Sequence, residues 1–130
     1  MKVTTTEKRQ IIDITERVID EIRGTQGIVN VFVKHTTAAI TIADLDPGTD
    51  LDFLDFLKKM TPAANWRHPH DSSHAPDHIL AGIIGPSVVV PLENGKLQLG
   101  AWQRIILIEL DGPRDRDLVI SPILTAELTS

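Results

Sequence analysis

Residues 28–42, with the sequence IVNVFVKHTTAAITI, carry the pattern that decides the fold. In residues 29–34 every second residue is valine, and in residues 38–42 one set of alternate positions is alanine and isoleucine. A two-residue period is typical of a β-strand with two different faces. The intervening His35-Thr36-Thr37 is a bend, a bulge, or the middle of one continuous strand. The stretch predicts a protein built around β-structure.

The segment before this stretch predicts one strand and one helix. Residues 3–14 are rich in threonine and isoleucine, which suits a strand. Residues 14–22 then repeat isoleucine and valine at helical spacing. Asp13 or Thr15 can cap this helix, and Gly24 ends it.

The segment after it predicts a second helix and then an irregular stretch. Asp46-Pro47 is typical of a cap followed by a first helical residue, and Pro62 stops the apolar stripe that follows. Residues 61–78 lack periodicity, and a loop of this length in a compact domain is usually functional or disordered. A short helix is expected to begin near Pro76 and to carry His78.

The C-terminal part predicts β-structure again. Asn94-Gly95 is the strongest short-range signal of a hairpin turn. Residues 102–110 form a long apolar strand, in which we expect Trp102 to pack in the core or in a subunit interface. Further strands are expected at residues 88–90, 97–99 and 118–120. Together these elements predict an α+β fold: a mostly antiparallel sheet with two principal helices packed on one side, as a single compact domain over residues 1–130.

Composition excludes several classes of function. The 130 residues contain no cysteine, which excludes disulfides and thiolate chemistry and fits a cytoplasmic location. The net charge is −5 and the basic residues are scattered, so a nucleic-acid partner is not expected. No apolar run approaches the roughly 20 residues of a membrane span, so no membrane partner is expected either. Two helices cover only part of such a sheet, so apolar residues remain exposed, and we expect self-association to bury them.

Five histidines, four of them within residues 68–78, form the most unusual feature of the sequence. Neutral imidazole is the commonest metal-ligating side chain near neutral pH, and three imidazoles leave a fourth position of a tetrahedral zinc ion open. Spacing alone does not select the three ligands. His70, His74 and His78 lie at helical spacing, but Pro76 disfavours a continuous helix there.

Glu109 interrupts an otherwise apolar strand. A buried carboxylate needs a partner, and we expect it to be a general base or an acceptor for the N–H of a ligating histidine. If the strand alternates strictly, Glu109 instead faces solvent.

Several polar and cationic side chains of the sequence suit a phosphorylated ligand. Arg114 follows a Gly-Pro turn, and its planar guanidinium matches phosphate geometry. Thr36 and Thr37 can donate hydroxyl groups, although both also suit a strand. We take Glu109, Arg114 and Thr36 as candidate catalytic residues, and Thr37, Gln103 and Arg67 as candidate binding residues.

Several motifs in order along nearly the whole chain resemble the YjbQ-like family. They are His35-Thr36-Thr37-Ala38-Ala39-Ile40-Thr41-Ile42, Asp46-Pro47, Asn65-Trp66-Arg67-His68, His78-Ile79, Gly85-Pro86-Ser87, Val90-Pro91, Asn94-Gly95-Lys96-Leu97, Gly100-Ala101-Trp102-Gln103-Arg104 and Glu109-Leu110-Asp111-Gly112-Pro113-Arg114. The resemblance implies a compact α+β fold, a homotrimer, and a metal ion as in some members. Members are commonly described as secondary thiamine-phosphate synthases.

The resemblance also implies a ligand set. The recurring histidines of the family correspond to His35, His68 and His78, which makes these three the expected metal ligands, whereas the family usually has other residues at positions 70 and 74. The family often has lysine where this chain has Leu80, which puts a phosphate contact at that position in doubt. It often has threonine where this chain has Ala101.

Two functions follow as hypotheses. The first is a metal-site enzyme that acts on a small phosphorylated metabolite through a divalent ion, zinc or alternatively magnesium, with thiamine-phosphate synthase-like activity. The His-rich set is unusual for that reaction, because magnesium prefers oxygen ligands. The alternative is a non-catalytic oligomer that binds a metal or an anion as a carrier or regulator. In a third interpretation the histidine cluster is incidental.

Overall fold

The computed structural model describes residues 1–125, which form eight strands and three α-helices. In chain order these elements are β1 (Lys2–Thr4), β2 (Gln10–Asp13), α1 (Thr15–Glu21), β3 (Gly27–Val33), β4 (Ala38–Ala43), α2 (Thr49–Met60), α3 (Ala75–Ile84), β5 (Ser87–Glu93), β6 (Lys96–Leu97), β7 (Arg104–Glu109) and β8 (Asp115–Leu124). A 3-10 turn at Ser72–His74 leads into α3. Residues 126–130 of the predicted domain lie outside the described residues.

The strands form two antiparallel sheets rather than one. The larger sheet has the order β1-β8-β3-β5-β6, and the smaller has the order β2-β7-β4. The prediction of a single sheet is wrong because the chain changes sheet where the pattern left a break: β3 pairs with β8 and β5, whereas β4, after the bend at Thr36-Thr37, pairs with β7. The predicted strand over residues 3–14 is divided in the same way between β1 and β2.

Strand β7 lies at the centre of the molecule, with both faces buried. Ile105 and Leu107 belong to the core between the two sheets. Ile106 and Ile108 face the other way and pack against Leu57 and other apolar residues of α2 and α3. A strand covered on both faces needs apolar residues at every position, which accounts for the uninterrupted run. The α+β class and the antiparallel pairing are therefore confirmed, in three layers: sheet, sheet and helices.

The helices begin and end close to the predicted positions. In α1 the backbone N–H of Thr15 donates to Asp13 Oδ1 at 3.0 Å, so Asp13 satisfies a free donor at this end. Helix α2 begins at Thr49 after Gly48 in a left-handed conformation, not at Pro47 as predicted. Helix α3 confirms the short helix that carries His78. Within residues 1–125 each helix is too short or too polar to cross a bilayer.

Trp102 does not lie in the core, which is one of its two predicted environments. It precedes β7, which begins at Arg104, and 72% of its surface is exposed, so it does not pack in the core of this chain. An interface with another subunit stays a prediction for this side chain.

Candidate functional site

One pocket collects side chains from three separate parts of the chain. The bend after β3, helix α3 with its leading turn, and the turn after β7 all contribute to it. We call it the polar pocket; it has a volume of about 240 Å³ and is lined by His35, Thr36, Thr37, His74, His78, Asp111, Arg114 and Arg116. Five of the nine candidate residues therefore lie together, although up to 79 positions of sequence separate them.

His78 presents one nitrogen to the backbone and keeps the other available. Its Nδ1 lies 3.2 Å from the carbonyl oxygen of Thr36. A carbonyl oxygen only accepts, so Nδ1 carries the proton and Nε2 of the neutral ring keeps its lone pair. The ring of His68 lies nearby, with centroids 4.6 Å apart. An imidazole oriented by a backbone carbonyl in this way is typical of metal ligands and of proton acceptors.

His35 uses its nitrogens differently. Its Nε2 accepts a hydrogen bond from the backbone N–H of Asp117 at 2.9 Å. A neutral imidazole whose Nε2 accepts carries its proton on Nδ1. The lone pair of His35 that would bind an ion is therefore already in use.

The imidazoles suit a divalent ion chemically, but the predicted set of three is not assembled around one point. Within residues 1–125 no group of three histidine, aspartate or glutamate side chains is placed to share one ion. His68 and His78 stand together, whereas His35 faces the amide of Asp117. Imidazole nitrogens are therefore suitable ligands for the ion, but the positions of these three histidines do not form a three-ligand site.

Asp111 organises the cationic side of the polar pocket. Its carboxylate accepts from Lys8 Nζ at 2.6 Å and from Arg114 Nη2 at 2.8 Å. Burial alone would raise the pKa of Asp111, but the hydrogen bonds from Lys8 and Arg114 and the nearby positive charges outweigh burial and lower that pKa. Asp111 is therefore held as a carboxylate that orients Arg114.

Lys8 links this carboxylate to a second one. Its Nζ donates to Asp77 Oδ2 at 2.9 Å as well as to Asp111, and Arg9 Nη2 donates to Asp77 Oδ1 at 3.0 Å. Partial burial alone would lower the pKa of Lys8, but its bonds to Asp111 and Asp77 outweigh that effect and raise the pKa. The two carboxylates thereby hold Lys8 as a cation beside Asp111, which also accepts from Arg114.

Glu109 lies outside the reach of a ligand. Its side chain is completely buried, and both of its oxygens accept from the Nε of Arg116, at 2.9 and 3.0 Å. The hydroxyl of Thr5 donates to Oε1 at 2.6 Å, and the backbone N–H of Asp111 donates to Oε2. The prediction that this buried carboxylate has a partner holds, but the partner is Arg116 rather than a histidine, and a general base needs access that Glu109 lacks.

Of the remaining candidates, Thr37 lines the polar pocket, and Gln103 and Arg67 lie away from it. Thr37 is buried and accepts from Arg116 Nη2 at 2.9 Å through its hydroxyl. Gln103 lies in another part of the surface, where its Oε1 accepts from the backbone of Gly100 at 2.8 Å. Arg67 is exposed and does not line the polar pocket.

Three residues that line the polar pocket are not among the candidates from the sequence: His74, Asp111 and Arg116. His74 lies outside the expected ligand set, yet its Nδ1 is 3.7 Å from Asp111 Oδ2. Arg116 could have been found, because the two-residue period of Leu118 and Ile120 extends back to position 116 and predicts that its side chain faces inward.

Comparison with known proteins places this fold in a family. A family model described as UPF0047 protein YjbQ-like matches residues 1–124. A UPF0047 protein of Archaeoglobus fulgidus is 39% identical, covering 95% of this chain and 98% of its own length. The UPF0047 protein YugU of Bacillus subtilis is 35% identical, covering 92% of this chain and 94% of its own length.

Solved structures agree with the sequence comparison. The crystal structure of an uncharacterized conserved protein of the YjbQ/UPF0047 family from Clostridium acetobutylicum has a TM-score of 0.84 at 41% identity, covering 95% of this chain and 98% of that one. A hypothetical protein from Aeropyrum pernix has a TM-score of 0.88 at 34% identity, covering 96% of each chain. The resemblance drawn from the motifs is therefore confirmed, and the chain belongs to the UPF0047 family of YjbQ-like proteins.

Proposed function

We propose that the protein is an enzyme that binds a small phosphorylated metabolite in the polar pocket and acts on it there. One observation carries this proposal: Arg114 and Thr36 lie in the same pocket as His35, His74 and His78. Guanidinium and hydroxyl groups bind phosphate oxygens, and imidazoles transfer protons near neutral pH. Their convergence gives one pocket both a means of binding phosphate and a means of proton transfer.

Arg114 is the residue to which we assign the phosphate. A guanidinium carries five N–H donors, and Asp111 engages only Nε, through its carbonyl oxygen, and Nη2, through its carboxylate. The side chain is 51% exposed, so further N–H groups can reach an incoming anion. Since Asp111 fixes the plane of the guanidinium, binding an anion costs little side-chain entropy.

His78 is the residue to which we assign proton acceptance or metal binding. The hydrogen bond from its Nδ1 to Thr36 leaves Nε2 as the reactive nitrogen. Thr36 is exposed in the same pocket, so its hydroxyl can donate to the same phosphate group.

A divalent ion, zinc or magnesium, belongs to the proposal as a cofactor. His68 and His78 would hold it, with His35 as the third ligand if its Nε2 exchanges the amide of Asp117 for the ion. A bound ion of this kind polarises phosphoryl oxygens as a Lewis acid. The phosphate binding assigned to Arg114 and Thr36 does not depend on it.

The reaction to test first is the one that the family resemblance implies. It joins a hydroxymethylpyrimidine diphosphate to a thiazole phosphate and releases diphosphate, whose negative charge needs cationic groups such as Arg114.

We further propose that the protein acts as a homotrimer in the cytoplasm. The apolar residues that its larger sheet leaves exposed support self-association, and the lack of cysteine fits the cytoplasm.

The alternative, a carrier or regulator without catalysis, receives less support from the pocket. A storage or structural site is closed by protein ligands, whereas Thr36 is exposed and Arg114 is half exposed at the polar pocket. An open pocket of this kind suits exchange of substrate and product.

Removal of Arg114 tests the phosphate site. We expect Arg114→Gln to weaken the binding of inorganic phosphate by about tenfold, since a charge-assisted hydrogen bond contributes roughly 1.5–3 kcal/mol. Arg17→Gln, an exposed change on α1, is the matched control and should leave the affinity unchanged. Calorimetric titration measures both variants. Equal affinity in wild type and Arg114→Gln would contradict the assignment.

Elemental analysis of the purified protein tests the metal. We expect a divalent ion that is lost in His78→Ala and retained in His70→Ala, because His70 is exposed and was not assigned as a ligand. A screen of phosphorylated metabolites with and without chelator then tests catalysis. Unchanged metal content in His78→Ala would contradict the ligand assignment, and turnover that survives complete metal removal would reject the cofactor.

A further inference from the structure

A second cavity adjoins the polar pocket and shares one wall with it. His35, Thr36 and His78 line both spaces. The second cavity, which we call the apolar pocket, has a volume of about 370 Å³ and is otherwise lined by Ala38, Ala81, Gly82 and Pro86. The two pockets therefore lie side by side, with His35, Thr36 and His78 between them.

The two pockets have opposite chemistry. The polar pocket contains Asp111 and Arg114, whereas the four residues that belong to the apolar pocket alone carry no polar side-chain atom. A phosphate group fits the first pocket, and a carbon-rich group that leaves water gains free energy in the second.

Gly82 keeps the apolar pocket open. It lies inside helix α3, where glycine destabilises a helix by roughly 1 kcal/mol relative to alanine. A Cβ at this position would meet no atom within 4 Å, so the protein itself does not require glycine for close packing. The absence of a side chain instead leaves space beside His78.

We propose that the apolar pocket binds the body of the phosphorylated metabolite, by which we mean the organic group attached to its phosphate. Gly82 determines which of these organic groups fit. The inference rests on the proposed function, because it assumes that the phosphate lies against Arg114. It specifies the substrate class as a phosphate or diphosphate ester of a compact apolar or aromatic group. The ester linkage then lies beside Thr36 and His78, between the two pockets.

Three probes that differ only in the body attached to phosphate test this division. They are inorganic phosphate, glycerol phosphate with a polar body, and phenyl phosphate with a compact ring. We expect calorimetric titration of the wild type to show phenyl phosphate binding about tenfold more tightly than glycerol phosphate, since the ring buries apolar surface.

Filling the apolar pocket should remove this preference selectively. In Gly82→Leu we expect the affinity for phenyl phosphate to fall to that for glycerol phosphate, with the affinity for inorganic phosphate unchanged. Gly82→Ala is the control for folding, because its Cβ has free space, and should show a smaller loss. Circular dichroism melting checks that both variants are folded.

The outcomes separate the two proposals. If inorganic phosphate does not bind the wild type, the proposed function fails and this inference fails with it. If inorganic phosphate binds but phenyl phosphate shows no preference, or if Gly82→Leu keeps the preference, only the apolar pocket is overturned. A change in the molecular mass of the assembly in Gly82→Leu would mean that a second copy covers this surface, which also overturns it.

Discussion

Two arginine–carboxylate pairs lie close together in the sequence, at the end of β7 and the start of β8, and they differ mainly in exposure. Glu109 and Arg116 are 0% and 1% exposed. Asp111 is also nearly buried, but its partner Arg114 is 51% exposed at the polar pocket. The same chemistry therefore occurs once inside the protein and once at its surface.

The difference in burial separates a structural pair from the pair to which we assign a function. Both oxygens of Glu109 and the Nε and Nη2 of Arg116 are engaged, with Thr5 and Thr37 completing the network. Within residues 1–125 every buried side-chain nitrogen or oxygen has a hydrogen-bond partner. A pair of this kind fixes the positions of two strands, whereas the pair at the pocket leaves Arg114 half exposed, as the proposed binding of an anion requires.

The largest effect is expected from breaking the buried pair. Glu109→Gln leaves the charge of Arg116 buried without a counter-ion, and we expect it to lower the free energy of unfolding by about 3–5 kcal/mol. Replacement of both residues, as in Glu109→Leu/Arg116→Met, should restore part of this loss because no charge then remains buried. Urea denaturation measures all three proteins. A loss below about 1 kcal/mol in the single variant would make the pair as weak as one at the surface.

A smaller effect is expected at Gly112, which lies between the two pairs. A Cβ there would lie 2.2 Å from the carbonyl oxygen of Glu7 and 2.9 Å from both Glu109 Cγ and Thr5 Oγ1. We expect Gly112→Ala to lower the free energy of unfolding by about 1–3 kcal/mol, because the backbone of residue 7 must move. Gly82→Ala, whose Cβ meets no atom within 4 Å, is the matched control and should stabilise the protein slightly. Similar changes for the two glycines would mean that Gly112 is not required by packing.

The sequence predicted which parts of the chain alternate. His35, Thr36, His78 and Arg114 were candidates because of their residue type or the family resemblance, and only the fold shows that they line one pocket. The division into two sheets could not be predicted, because a two-residue period indicates which residues face inward and not which strands pair. The break at His35-Thr36-Thr37 marked where the chain changes sheet, but it did not indicate which strand the following residues pair with.

The ion pairs were equally inaccessible to sequence reasoning. Lys8 is 69 positions from Asp77 and 103 positions from Asp111, so no local spacing indicates either contact. Glu109 was recognised as a buried carboxylate, but its role depended on Arg116 in the next strand. Motifs therefore indicated candidate residues, and long-range pairing decided which of them are accessible at the polar pocket.

The smallest effect is expected from the pair at the pocket, and it depends on pH. The folded-state pKa of Asp111 is lowered, because the bonds from Lys8 and Arg114 and the nearby charges outweigh burial. The unfolded state therefore binds the proton more readily, and stability from Asp111 is present above its unfolded pKa of about 3.9 and is lost as the pH falls through the folded pKa.

We expect Asp111→Asn to lower the free energy of unfolding by about 1 kcal/mol at neutral pH, since Lys8 and Arg114 remain partly solvated. The difference from wild type should shrink as the pH falls below about 4, because wild-type Asp111 then becomes uncharged as well. Wild type will still lose stability in acid, since the pKa values of Asp13 and Asp71 are lowered too; only the difference between the two proteins reports Asp111. Urea midpoints measured between about pH 2.5 and 7 test this, and a difference that stayed constant over that range would assign the effect to packing rather than to charge.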